Sequence, residues 1–226
     1  MNKFLKAVLL ILIVIILAAG CLFGYLTVTE FKPDAVQPVA VSGNDGGSVK
    51  PGAELSVLTW NIGYCGLGKE SDFFMDGGSN TCSADKATSM RYLDAIHAFV
   101  ESENADITML QEVDKDSTRS YHIDQTETLA RGSYAYALNY SCDFVPFPWP
   151  PIGKVESGVF TSALYSIEYA DRIALPCPFT WPVSTANLKR CLLASYIPVE
   201  SGDRYLVIVN GHLEAYDSGE GKIAQT

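Results

Sequence analysis

The run from Ala7 to Val28 carries no charged residue, and it constrains the chain more than anything that follows. A segment of about 20 apolar residues can cross the roughly 30 Å hydrocarbon core as a helix. Inside that core a lone segment must satisfy its own backbone, which a helix does and a single strand does not. Lys3 and Lys6 precede the run. Positive charge on that side places the N-terminus in the cytoplasm and everything after Thr29 outside. Three readings compete. An uncleaved single-pass anchor in the cell membrane is the favoured one, because the run exceeds the roughly 7–15 apolar residues of a secretory signal. A cleaved signal comes second. A lipoprotein signal comes third, on Ala18-Ala19-Gly20-Cys21, and the apolar residues Leu22, Phe23, Tyr25 and Leu26 beyond it weigh against it.

The expected organisation is an anchor over 1–29, a linker over 30–54 and a domain over 55–226. The linker contains Pro33, Pro38, Pro51 and the stretch Asn44-Asp45-Gly46-Gly47-Ser48. Such a composition buries too little to order itself and predicts a flexible tether. In the domain, Leu55–Asn61 alternates as a strand does. Asp85 is placed to cap a helix over about Lys86–Ser102, with Met90, Leu93, Ile96, His97 and Val100 on one face. Ala105–Gln111 reads as a second strand, parallel to the first across this helical crossover. A helix over about Ser117–Ala130 is expected next. Strands are expected near Tyr134–Tyr140, Ser157–Tyr165, Ser166–Ala174, Cys191–Ile197 and Arg204–Asn210. A helix beginning near Gly219 closes the series. Strands with few crossovers predict an α/β fold with mixed sheets.

The formal net charge of −10 argues against duplex nucleic acid as a partner, which calls for a basic face. An exported domain permits disulfides. Among the five cysteines beyond the apolar run, Cys65 with Cys82 and Cys177 with Cys191 are the sequence-near pairs, leaving Cys142. Connectivity is not readable from sequence, and burial as small apolar side chains explains all of them equally well. No cysteine/histidine spacing suggests zinc.

Asn61 ends the first strand, and Gln111-Glu112 ends the second. Parallel neighbours deliver both ends to one sheet edge, where open α/β sheets bind ligands. An amide oxygen and a carboxylate there suit a hard cation such as Mg²⁺, which takes one or two carboxylates and keeps water for a phosphate. The apolar strand Val207-Ile208-Val209-Asn210-Gly211 delivers His212, a residue fit for proton transfer or phosphate contact. Each residue alone is more simply a turn or strand-end residue. The other histidines, His97 and His122, read as structural. Lys189, Arg190 and Arg119 are candidate phosphate contacts or plain solvated charges.

The strings LTWNIGY, ITMLQEVD, SGVFTSALYSI and LVIVNGHLEAYD, in this order, resemble the endonuclease/exonuclease/phosphatase superfamily. The resemblance spans roughly Leu55 to the end. It implies a four-layer α/β sandwich with two packed mixed sheets. It implies Mg²⁺, with Mn²⁺ as a substitute, on Glu112 and Asn61, and it implies Asn210 and His212 as catalytic residues. The reaction implied is metal-dependent hydrolysis of a phosphoester. The family's Asp-x-Asn and Ser-Asp-His motifs are absent, so little turnover is expected of this chain. The anchor, the acidity and the aromatic loops Phe144–Ile152 and Phe179–Pro182 favour a lipid or small phosphoester as substrate; a monomer is expected. An exported nuclease, or a non-catalytic binding module or fragment, are the alternatives.

Overall fold

The computed structural model describes residues 2–43, 46–214 and 220–226. Asn44, Asp45 and Gly219, named above, lie outside the described residues. Helix α1 (Lys3–Val28) is capped by Asn2, whose side chain accepts from the Leu5 N–H. It is long and apolar enough to cross a membrane, and its apolar stretch is uncovered by the rest of the chain. Only its last turns meet the domain, through Leu22 and the buried Leu26.

Two sheets follow. One is five-stranded and mixed, ordered β2 (Val41–Gly43), β5 (Ser133–Val145), β6 (Gly153–Ala163), β4 (Ile107–Asp114), β3 (Val57–Asn61). The other is four-stranded, ordered β1 (Val36–Val39), β7 (Tyr169–Ala174), β8 (Cys191–Pro198), β9 (Tyr205–Gly211). Among the described strands β3 and β4 pair in parallel, and the four-stranded sheet is antiparallel. The sheets pack face to face over Ile107, Ala137, Val159, Leu193 and Ile197.

Helix α2 (Lys86–Glu103) makes the β3–β4 crossover. Asp85 caps it by accepting from the Thr88 N–H, and Asn104 ends it at φ 46°. Leu93, Ile96 and Val100 bury against Leu110 and Phe160 on the outer face of the mixed sheet. Met90, expected on that face, is exposed. β4 is buried on both faces, as suits a strand with a sheet on one side and a helix on the other. The outer face of the four-stranded sheet carries exposed Tyr169, Tyr205, Val207 and Val209.

Two sequence expectations need correction. Residues 36–43 are not a free tether, because β1 and β2 add edge strands to the two sheets and Val49 bridges to Val199. The helix expected over 117–130 shrinks to α3 (Gln125–Leu129), since Tyr121 and His122 adopt φ of 57° and 58° and break it before Asp124 restarts it as a cap. All six cysteines are free. Cys65, Cys142 and Cys191 are buried among apolar side chains, and burial pushes the Cys65 thiol up. The chain closes with α4 (Glu220–Gln225).

Candidate active site

Parallel pairing of β3 with β4 sets Asn61 opposite Gln111. One residue on, β4 bulges against β6 between Gln111 and Val113. The bulged residue is Glu112, at φ 55°. A left-handed glutamate is strained by about 1–2 kcal/mol, and such strain collects at functional sites. The bulge turns the side chain toward Asn61 and His212 instead of into the sheet.

Asn61 Nδ2 donates to Glu112 Oε1 at 2.9 Å, while Asn61 Oδ1 accepts from the Gly63 N–H at 3.0 Å. The amide is therefore fixed with its nitrogen toward the carboxylate. Gly63, Tyr64 and Cys65 continue in the left-handed region at φ 52°, 43° and 54°, folding the chain tightly under this edge. His212, just past β9 of the other sheet, brings Nε2 to 3.8 Å from Glu112 Oε1. The structure thus gathers Asn61, Glu112 and His212 at one rim. Both the Glu112 and His212 side chains stay partly open, at 25% and 20% exposed. Burial, reinforced by the nearby Arg190 guanidinium, holds the His212 imidazole below its usual pKa, against the opposing pull of Glu112 and Glu214. His212 Nδ1 is buried with no partner among the described residues.

Asn210 takes a different place from the one expected. It is 2% exposed and ties the sheets together. Its Nδ2 donates to the carbonyls of Leu110 and Phe160, and its Oδ1 accepts from Gln111 Nε2 at 2.8 Å. It braces β4 and β6 beneath the rim and is not presented to the cleft. Arg190, a candidate phosphate contact, is buried and donates to Glu214 Oε2 at 3.1 Å and to the His212 carbonyl at 3.1 Å. It holds the segment carrying His212. Lys189 pairs instead with Glu30 at 3.0 Å, next to α1. Arg119 forks onto Asp114 through two bonds, donates to Ser157, and lies over the Tyr64 ring at 4.0 Å. Burial works against its charge and the Asp114 carboxylate outweighs that, so its pKa rises. Asp114 and Tyr64 were missed in the sequence because only the fold brings them beside Arg119. His122 contacts Asp116 at the surface, and His97 sits on α2, both away from the rim.

The donor set can be tested against a divalent cation. Glu112 Oε2 makes no hydrogen bond among the described residues, which leaves one carboxylate oxygen open to the cleft. No group of three acidic, histidine or cysteine side chains converges there among the described residues. One anchoring carboxylate with open positions fits Mg²⁺, which keeps its waters and takes substrate oxygens, better than a closed protein cage.

No protein-family model matches the chain, and no curated protein does. Solved structures do. An endonuclease/exonuclease/phosphatase from Beutenbergia cavernae DSM 12333 has TM-score 0.47 and 20% identity, over 73% of this chain and 39% of that one. ANGEL2, a 2′,3′-cyclic phosphatase solved with adenosine-2′,3′-vanadate, has TM-score 0.48 and 15% identity, over 83% and 48%. TDP2 from Caenorhabditis elegans has TM-score 0.40 and 21% identity, over 76% and 38%. The chain spans less than half the length of each. The likeness is one of fold and says nothing of substrate.

Proposed function

We propose that this chain carries the metal- and phosphate-facing part of a membrane-anchored phosphoester hydrolase, dependent on Mg²⁺ and acting outside the cytoplasm. One observation supports this reading above the others: a strained glutamate on a bulge, with one oxygen open, faces a histidine from the second sheet across 3.8 Å. Glu112 would hold the cation, and Asn61 would fix the carboxylate that does so. When bound, the cation would polarise a phosphoryl oxygen and favour attack by water. His212, kept neutral by its surroundings, would donate from Nε2 to a phosphoryl oxygen as negative charge develops. Arg190 would keep that imidazole aimed at the cleft through the His212 carbonyl. Helix α1 would hold the domain at the bilayer. The acidic balance of the chain favours a lipid or small phosphoester over a nucleic acid.

Calorimetric titration with Mg²⁺ and Mn²⁺ tests the centre directly. One site is expected, weakened at least about tenfold in Glu112→Gln, the effect of removing one charge-bearing ligand. Little hydrolysis of bis-p-nitrophenyl phosphate is expected of this chain, so cation binding is the deciding readout. Equal cation binding by both proteins would sink the proposal.

A further inference from the structure

The cleft that exposes Glu112 and His212 does not end with them. A cavity of about 650 Å³ is walled by these two residues and also by Phe23 and Leu26 of α1. This volume lies within the roughly 300–1,000 Å³ of ordinary ligand sites. Most of the intervening wall is aromatic or aliphatic, including Phe73, Phe74, Val145, Phe147, Ile152 and Leu188. Such a wall offers an aliphatic tail a continuous apolar surface.

Helix α1 is fastened to the cavity's rim. Leu26 is buried among Tyr140, Cys142, Val145, Ile152 and Val155. Tyr25 donates to Asp143 Oδ2 at 2.8 Å, and Trp181 Nε1 donates to Thr27 Oγ1 at 3.1 Å. Two proline-rich loops flank this contact and hold large side chains out to solvent. Phe147 is 73% exposed, Trp149 89% and Trp181 64%. Tryptophan beside the end of a membrane helix favours the lipid–water interface, where its ring is wetted on one side only. The cavity and Trp181 thus adjoin the end of the helix.

We infer that the substrate is a membrane-resident amphiphile, a phosphoester whose hydrocarbon tail lies along the aromatic wall while its phosphate reaches Glu112 and His212. This deepens the hydrolase reading and rests on it for the phosphoester. The tail pocket itself rests only on the cavity and on its join to α1. Near the helix end Asp143 accepts from Tyr25 and Glu30 pairs with Lys32 and Lys189, while the acidic side chains lining the cavity are Glu112, which faces the phosphate end, and Glu214, which accepts from Arg190.

The test uses the full chain reconstituted through α1 into phosphatidylcholine vesicles containing a phosphatidylcholine with a photoreactive diazirine at its acyl terminus. After illumination, labelled peptides are located by mass spectrometry. Label is expected on residues 145–152 and 179–188 as well as on α1. Filling the cavity with Ala186→Trp, or placing charge at its mouth with Val183→Asp, is expected to lower label in 179–188 about tenfold, the effect of losing roughly two buried methylene contacts. Label on α1 should stay as it was, and circular dichroism should show both variants folded. Label confined to residues 3–28, or unchanged in both variants, overturns the inference. Failure of the hydrolase reading looks different: cation binding would be indifferent to Glu112→Gln while the acyl label still appeared in the cavity.

Discussion

At Glu112 backbone conformation and chemistry pull in opposite directions. A left-handed φ of 55° suits glycine, yet the position holds the carboxylate that Asn61 orients. Glu112→Gly and Glu112→Ala lose the same carboxylate, and only glycine relieves the backbone. Urea denaturation is expected to find the glycine variant about 1 kcal/mol more stable than the alanine one, the reverse of the usual order in a strand. Asn210 is the second decisive residue. Its amide satisfies two carbonyls of the mixed sheet and one side-chain donor. Asn210→Ala leaves these buried groups unpaired, at a cost of about 2–4 kcal/mol in the same measurement. Cation affinity should fall too if the brace positions β4.

Among the elements, the β3–α2–β4 unit places half of the site, and its base is tied by a carboxylate. Asp106 Oδ2 accepts from both the N–H and the hydroxyl of Ser56, at 2.8 and 2.7 Å. The Ser56 side chain, then its backbone N–H, lowers the Asp106 pKa. A carboxylate with a depressed folded pKa adds stability above its unfolded value of about 3.9, and that stability is lost as pH falls through the folded value. Thermal melts at pH 7 and pH 3 should therefore differ less in Asp106→Asn than in the parent. This unit was legible in the sequence because local signals dominate it: an alternating strand, a capping aspartate and a second apolar strand. The ends of those strands carried Asn61 and Glu112 with them, and His212 followed from the apolar strand before it. The bulge was not legible, because it exists only in the pairing of β4 with β6. The edge strands β1 and β2 were hidden for a similar reason: proline and glycine mark a linker unless partners 90 or more residues away supply an edge. Arg190 looked like a free cation until the fold set Glu214 against it.

In the molecule as a whole, α1 and the domain are one assembly. Leu26 plugs into the cluster around Tyr140 and Val155. Leu26→Ala should weaken that junction by about 2–3 kcal/mol without unfolding the sheets. In vesicles, chymotrypsin is expected to cut after Phe31 faster in this variant, while the domain's own melting temperature stays put. Equal cutting rates would show that the helix hangs free.

In the proposed anchoring role, the fastening of α1 would add a second duty. A loose tether would confine the enzyme to the surface and let it swivel, so that most collisions with the bilayer would present the wrong side. A helix bolted beside the cleft fixes heading as well as address. On that proposal, molecules diffusing in the leaflet would meet an opening that always faces their plane, and the search for substrate would become two-dimensional. Cutting the chain after the helix would then cost the enzyme its aim, even if the released domain were returned to the same surface.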